Sequence, residues 1–136
     1  MNLDSLNERI QKINVRDTFV RYVEDNESMF LDFLKEQLNE GYVGNGSYYT
    51  YASIAYSREK QRGNPKAQGR VDFYLEGNFY KGFYIEKLNR GGIQFYSTDE
   101  KAAKLTKKYD HIWTYNLKTR EKVVNRMLFD FKDYLL

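Results

Sequence analysis

The chain has 136 residues, of which 41% are hydrophobic, 30% are charged and none is cysteine, and its formal net charge is +3. This length suits one folded domain, and the lack of cysteine excludes disulfide frameworks, thiolate metal sites and cysteine nucleophiles. The charge is much smaller than that of a dedicated DNA-binding protein. No apolar run approaches the ~18 residues of a membrane helix, and the first ten residues lack the pattern of a secretion signal. We therefore expect a protein of a cytosol-like compartment that makes no contact with a membrane.

The N-terminal part of the chain is predicted to be helical. Residues 3–13 carry an apolar stripe with helical spacing, formed by Leu3, Leu6, Ile10 and Ile13. Residues 17–39 carry a second helical pattern, which the polar run 25–28 interrupts, so a kink or restart is expected there. Gly41 is the predicted end of this helix, because glycine accepts the left-handed conformation without steric cost.

The stretch 42–70 is predicted to be a long loop or arm, because it holds several glycines and the single proline of the chain. Its first half is rich in tyrosine, which suits half-wet interfaces, and it is expected to be extended or partly helical. Its second half is basic. Together with two tyrosines of the following strand, these side chains form a predicted interface: Tyr48, Tyr49, Tyr51, Tyr56, Arg58, Lys60, Arg62, Tyr80 and Tyr84.

A small antiparallel sheet is predicted from alternating apolar residues. The strands are a hairpin, 79–88 and 92–97, and a further strand near 71–75. Glycines 91 and 92 supply the turn of the hairpin, since they accept positive φ. Phe83, Ile85 and Phe95 are expected to face the core.

Two helices are predicted after the sheet. Thr98 is the expected cap of the first, with Asp99 and Glu100 in its first turn and Ala102, Leu105 and Tyr109 on its buried side. Asn116 is the expected cap of the second, 117–134. An apolar stripe on this last helix is expected to cover the sheet and comprises Leu117, Val124, Leu128, Phe131 and Leu135.

These elements predict one α+β domain over residues 1–136, in which 1–25 form an N-terminal helical extension. N-terminal helices and the long C-terminal helix would pack against the small sheet.

Catalytic chemistry finds little support in the sequence. His111 is the single histidine, and metal sites and catalytic triads need more ligands or partners than that. Asp72 with the Asp99–Lys101 run loosely resembles the acid and acid-x-Lys arrangement of metal nucleases. Such runs arise by chance in a highly charged chain, and Asp130–Lys132 is another. We therefore predict no catalytic, cofactor or metal site, and a protein that is not an enzyme.

Nucleic-acid binding is the alternative that the composition leaves open. Single-strand binders stack bases on exposed aromatic rings above basic grooves. Tyrosines of the hairpin and lysines of the following helix could supply both: Tyr80, Tyr84, Tyr96, Lys101, Lys104, Lys107 and Lys108. The same lysines are also explained as the solvated face of a helix, and that explanation is favoured by the low net charge.

The stretch "LEGNFYKGFYIEKLNRGGIQFYSTDEKAAKLTKKYDHIWTYN" (75–116) resembles a family of tailed-phage neck and tail proteins. These are virion-morphogenesis and tail-completion proteins, which also occur in bacterial prophages. The matching pattern comprises the Leu-x-Gly-Asx-Phe entry at 75–79, the paired strands and the helix that follows. Upstream, "FLKEQLNEGYVGNGSYY" (33–49) fits the same family, so the resemblance covers most of 29–116.

The resemblance implies a structural subunit of a homo-oligomeric ring, a head–tail connector or tail-completion protein at the neck of the virion. Its partners would be other neck, portal or tail proteins, and its basic surface could touch packaged DNA. It would have no active site and no cofactor. It would be assembled in the cytoplasm of the bacterial host and end in the virion. A ring subunit meets its two neighbours through two different patches of its surface.

Overall fold

The computed structural model describes Ser5 and residues 15–74, 77–89 and 92–135. In chain order, the elements are α1 (Val15–Asp25), α2 (Glu27–Asn39), α3 (Ile54–Gly63), a 3₁₀ turn (Pro65–Ala67), α4 (Asn78–Lys81), β1 (Phe83–Lys87), β2 (Ile93–Ser97), α5 (Ala102–Lys108) and α6 (Leu117–Leu135). The fold is α+β, as predicted, with a two-stranded antiparallel sheet and a long C-terminal helix. The predicted apolar stripe within 3–13 lies outside the described residues. Among the described helices, none is both long and apolar enough to cross a membrane.

The predicted interruption of the N-terminal helix is confirmed, because α1 ends at Asp25 and α2 begins at Glu27. The side chain of Asn26 donates a hydrogen bond to the carbonyl oxygen of Tyr22 at 2.9 Å, a local bond that competes with helix continuation. The prediction for Gly41 is also confirmed. Its φ is +86°, and its amide donates to the carbonyl oxygen of Leu38 at 2.9 Å beyond the last turn of α2.

Helix α2 is the central element of the core. Phe30, Leu34 and Leu38 follow a four-residue spacing and are at most 2% exposed. The helix contacts α1, β1 and α6. The apolar core assembled around it comprises Tyr22, Val23, Phe30, Leu31, Leu34, Leu38, Val43, Val71, Phe73, Phe79, Phe83, Phe95, Ala102, Ile112 and Val123.

The sheet is shorter than predicted. Strands β1 and β2 are antiparallel, with Ile85 opposite Phe95. Phe83 and Phe95 are buried and Ile85 is half-buried, which confirms the apolar face. The strand prediction for 79–82 is wrong, because α4 occupies 78–81. Aromatic residues four positions apart fit a helical turn as well as an alternating strand, because both patterns place them on one side. The ring centres of Phe79 and Phe83 lie 5.0 Å apart.

The predicted strand near 71–75 is wrong for its described part, 71–74. Thr50 and Arg70 form an isolated β-bridge, and the amide of Val71 donates to the carbonyl oxygen of Tyr49. The pairing stops there because Phe73 has a φ of +59°, a left-handed conformation that ends an extended run. The Phe73 side chain is nevertheless buried.

The prediction for the start of α5 is wrong. The helix begins at Ala102, so Asp99 and Glu100 precede it and are not first-turn residues. Thr98 does not cap the helix, because Lys101 occupies the N-cap position. The buried side of α5 agrees with the prediction. Ala102 is 1% exposed, and Leu105 and Tyr109 pack against the core.

The predicted cap of α6 is confirmed. The side-chain oxygen of Asn116 accepts a hydrogen bond from the Thr119 amide at 2.9 Å. Gln37, 3% exposed on α2, fixes the same point of the chain. Its side-chain amide donates to the Thr114 carbonyl oxygen at 2.9 Å, and its oxygen accepts from the Asn116 amide at 2.7 Å. These bonds set where α6 starts against α2.

The predicted packing of α6 is wrong. Leu117, Val124 and Leu128 are 70%, 50% and 70% exposed, so this stripe faces solvent. The inner face of α6 instead carries the buried Val123 and the half-buried Met127. Helix α2 contacts β1 and takes the place that α6 was expected to fill. The side chains of Phe131 and Leu135 lie outside the described ones.

Candidate interaction site around Asp72 and helix α3

The predicted loop 42–70 contains a helix. Ser53 begins α3, since its hydroxyl oxygen accepts a hydrogen bond from the Tyr56 amide at 3.2 Å. Helix α3 continues to Gly63 and buries none of its residues. The partly helical alternative for the tyrosine-rich first half is therefore confirmed over 54–57, whereas the prediction of a loop is wrong over 58–63. The helix has a capped N-terminus and a largely polar sequence, and it lies on the surface of the domain.

Polar contacts attach α3 to the rest of the protein. The Lys60 ammonium lies 2.9 Å from the Asp72 carboxylate. The hydroxyl of Ser57 donates to the Gly69 carbonyl oxygen at 2.8 Å. Just after the helix, the side-chain amide of Asn64 donates to the Asn39 carbonyl oxygen at 2.7 Å. The helix is thus held by hydrogen bonds, an ion pair and the contact of the Tyr56 ring with that of Tyr51, although none of its residues is fully buried.

Asp72 is the centre of this attachment and is 1% exposed. One carboxylate oxygen accepts from Lys60, from the Tyr74 amide at 3.1 Å and, at 3.4 Å, from the Tyr51 hydroxyl. The other accepts from the Asn64 side chain at 3.0 Å. A buried charge requires such pairing and hydrogen bonding. Both oxygens of Asp72 are therefore already engaged within the protein.

Two tyrosine hydroxyls complete the network around Asp72. Tyr51 reaches the carboxylate, and Tyr80 donates to the backbone carbonyl oxygen of Asp72. Burial raises the pKa of both hydroxyls above its ordinary value, and the negative charge of Asp72 raises each pKa further. Both hydroxyls are protonated at neutral pH, as ordinary tyrosines are, and the raised pKa keeps them hydrogen-bond donors at more alkaline pH as well.

A cavity of about 590 Å³ opens beside the ion pair. Its lining includes Tyr56, Glu59, Lys60, Asp72 and Tyr74. Within the described part of the chain, no group of three or more histidine, cysteine or acidic residues could hold a metal ion. The buried carboxylate of this cavity is neutralised by an ammonium group. The arrangement is therefore suited to fixing α3 in place.

Part of the predicted interface lies on the surface. Tyr48 is 56% exposed and Tyr56 is 37% exposed. Arg58 and Arg62 are exposed on α3, where Ile54 also faces solvent at 72%. These side chains give α3 a basic outer surface with an apolar residue at one end.

The other predicted interface residues are engaged inside the domain. Lys60, Tyr51 and Tyr80 belong to the Asp72 network. The hydroxyl of Tyr49 accepts from the Asp110 amide at 2.9 Å, and its ring lies 4.8 Å from that of Tyr109. Tyr84 is half-buried and packs edge-on against Tyr96, with the ring centres 6.4 Å apart.

The structure does not bring the candidate catalytic residues, Asp72, the Asp99–Lys101 run and His111, into one site. The Asp72 carboxylate contacts Lys60, Tyr51, Asn64 and Tyr74. Within the described part of the chain, it forms no hydrogen bond or ion pair with the Asp99–Lys101 run. His111 is exposed with a φ of +66°, and its carbonyl oxygen accepts from the Gly44 amide at 2.8 Å.

Sequence reasoning missed a second feature, a groove of about 370 Å³ between α5 and the 71–74 segment. Its lining is aromatic and aliphatic with three lysines, and comprises Tyr51, Val71, Phe73, Tyr74, Lys101, Lys104, Leu105, Lys108 and Tyr109. The three lysines follow a spacing of three and four residues, which places them on one side of a helix. That spacing was the signal available in the sequence.

Fold and site together define a small α+β domain that presents a surface helix through polar contacts. Comparison with protein-family models, curated proteins and solved structures finds no match for this chain.

Proposed function

We propose that the protein is a non-catalytic structural subunit of a bacteriophage or prophage virion, which assembles into a ring at the head–tail neck. The motif resemblance over 29–116 suggests this class. The fold is compatible with it, since the class was expected to be α+β.

The observation that carries the proposal is the presentation of α3. A helix that buries no residue adds nothing to the apolar core of its own domain. Even so, the chain fixes this helix in place with a buried ion pair and with hydrogen bonds from Ser57 and Asn64. A well-positioned basic surface is useful to a protein that binds partners. Arg58 and Arg62 would meet acidic neighbours in the particle, or packaged DNA.

The chemistry of Asp72 supports a role in assembly over a role in catalysis. A nuclease carboxylate must be available to a metal ion, whereas that of Asp72 is neutralised by Lys60 and bonded to Asn64. Hydrolysis of plasmid DNA in the presence of Mg²⁺ or Mn²⁺ that disappears in an Asp72→Asn variant would contradict the proposal.

The experiment is to follow the protein into particles. In a phage or induced prophage that encodes it, purified virions should contain the chain, and native mass spectrometry should find oligomers of the isolated protein or of its complex with neck proteins. The Arg58→Glu/Arg62→Glu variant should fold normally and fail to enter particles. Lys81→Glu, at an exposed position on α4, is the matched control and should assemble.

A nucleic-acid-binding protein is the second candidate, because three lysines surround an aromatic groove. The tyrosine platform predicted for it is less favourable, since the rings of Tyr80, Tyr84 and Tyr96 pack against other aromatic residues. Binding of single-stranded DNA by a monomer, with an affinity that falls steeply as salt is raised, would support this candidate. Absence of such binding together with incorporation into virions would support the structural subunit.

A further inference from the structure

The groove beside α5 is an apolar depression with a positive rim, and we call it the lysine-rimmed groove. Val71 and Phe73 are buried at 4% and 6% exposure, and Leu105 is half-buried. Lys101, Lys104 and Lys108 are exposed around them. In the described part of the chain, none of the three lysines forms an ion pair. The groove therefore fits an apolar surface that carries negative charge.

The outer face of α6 combines exposed apolar side chains with one acid, Glu121. Leu117, Val124 and Leu128 are at least half exposed, and Glu121 lies in the same row of the helix. Positions i, i+4, i+7 and i+11 of a helix share one face. Among described residues, Glu121 forms no ion pair, in contrast to the charged residues at 118, 122 and 126 of the same helix. We call this row the outer stripe.

The outer stripe cannot reach the groove of its own chain. Helix α6 is fixed against α2 by the Lys122–Glu36 ion pair at 2.6 Å, and by the Tyr22 hydroxyl, which donates to Asp130 at 2.8 Å. These contacts turn Val123 inward and leave the outer stripe facing solvent. A partner for either surface must come from another molecule.

We propose that the outer stripe of one copy docks in the lysine-rimmed groove of a second copy, with Glu121 facing the rim lysines. The contact would remove apolar side chains of both surfaces from water, and the single acid of the stripe would meet the unpaired positive charge of the rim. This inference rests on the proposed function and specifies one interface of the assembly. Two different patches make the contact heterologous, so repetition generates a ring or an open filament.

Charge exchange tests the pairing. Lys104→Glu and Glu121→Lys should each weaken self-association by about tenfold or more, because each places like charges across the contact. The double variant Lys104→Glu/Glu121→Lys restores opposite charges and should recover association. Lys81→Glu is the control for net charge. If the two single variants associate as the parent does, or if the double variant is no better than either single one, the proposed contact is wrong.

Cross-linking tests the geometry against a clean background, because the chain has no cysteine. A mixture of the Lys104→Cys and Val124→Cys variants should form disulfide-linked dimers, while each variant alone should not. Lys81→Cys in place of Lys104→Cys is the control. Dimers of Val124→Cys alone would show face-to-face pairing of α6 and overturn the proposal. No cross-link in the mixture, or a protein that stays monomeric at every concentration, would also overturn it.

These outcomes separate the inference from the proposed function. Virions that contain the chain but tolerate the charge exchange leave the proposed function standing and contradict this interface. Binding of single-stranded DNA that is lost in Lys104→Glu, without cross-links, would assign the groove to nucleic acid and contradict the inference.

Discussion

The ammonium of Lys60 lies 2.9 Å from the carboxylate of Asp72, and only 17% and 2% of the two side chains are exposed. The pair joins helix α3 to the segment that follows the 3₁₀ turn. A buried ion pair adds little net stability, because desolvation offsets attraction, but loss of one partner leaves an uncompensated buried charge. The attachment of α3 therefore depends on both residues together.

Replacing Lys60 is expected to destabilise the protein strongly. Lys60→Met leaves the Asp72 carboxylate buried without its cation, which should lower the free energy of unfolding by about 3 kcal/mol. Urea denaturation measures the change. Lys66→Met, at an exposed position in the same basic segment, is the control and should stay within ~0.5 kcal/mol of the parent.

The double variant Lys60→Met/Asp72→Asn sharpens this test. With neither charge present, it should be more stable than Lys60→Met alone. A Lys60→Met protein as stable as the parent would mean that Asp72 does not need its ammonium partner.

A matched pair of leucine substitutions tests how α2 and α6 pack. Leu34→Ala removes a side chain that is 0% exposed and should cost about 2–5 kcal/mol of unfolding free energy. Leu128→Ala removes a side chain that is 70% exposed and should cost less than ~0.5 kcal/mol in the monomer. Chemical denaturation at low protein concentration measures both. Equal losses of unfolding free energy in the two variants would indicate that Leu128 is buried, as predicted from the sequence.

The cap of α6 makes a smaller contribution. Asn116→Ala removes the acceptor of the Thr119 amide and should cost about 1 kcal/mol. Asn116→Ser keeps an acceptor at the same place and should recover most of the loss. Thermal unfolding of the three proteins gives the comparison, and an Asn116→Ala protein that melts with the parent would refute the role of the cap.

Asp130 connects stability to pH. The hydrogen bond from Tyr22 holds the pKa of the Asp130 carboxyl below its ordinary value; burial opposes this in part, and Arg126 lowers the pKa further. The stabilisation is complete above the unfolded-state pKa of about 3.9 and is lost as the pH falls through the lower folded-state pKa. Tyr22→Phe removes the donor.

This substitution should raise the pKa of Asp130 toward its ordinary value and make the acid-side loss of stability less steep. NMR titration of the carboxyl measures the first effect, and unfolding at several pH values measures the second. Asp130→Asn removes the titrating carboxyl, so both effects of Tyr22→Phe should be absent when the two substitutions are combined. An unchanged pKa in Tyr22→Phe would exclude Tyr22 as the cause.

Local signals in the sequence predicted several features correctly. The break at Asn26, the end of α2 at Gly41 and the cap at Asn116 each depend on one side chain or one backbone conformation. The apolar face of Phe83 and Phe95 follows from alternation along paired strands. These features need no knowledge of distant contacts, which is why they could be predicted.

The orientation of α6 could not be predicted in that way. This helix carries two apolar rows, one with Leu117, Val124 and Leu128 and one with Val123 and Met127. Periodicity shows that both exist but does not say which faces the core. The choice is made by distant contacts, among them the bonds from Gln37 to the start of α6.

The Asp72 site depends on the same kind of distant contact. Its ion pair joins residues twelve positions apart, and Lys60 lies in the part of α3 that was predicted as a loop. Phenylalanine is a residue type that favours strands, and nothing in the neighbouring sequence predicts the positive φ of Phe73. The arginines on the outside of α3 were predicted as surface residues, whereas Lys60 from the same basic run was not expected to point inward.

The absence of buried side chains in α3 has a consequence for its local stability. The free energy of an opening reaction depends on denaturant in proportion to the surface that the opening exposes. Detachment of α3 would expose little apolar surface, because none of its residues is fully buried. Its amides should therefore exchange with solvent through a local opening that responds weakly to urea, while those of α2 exchange only when the whole domain unfolds. A partner that binds α3 in its attached position should thus slow this local opening while leaving exchange in the core unchanged.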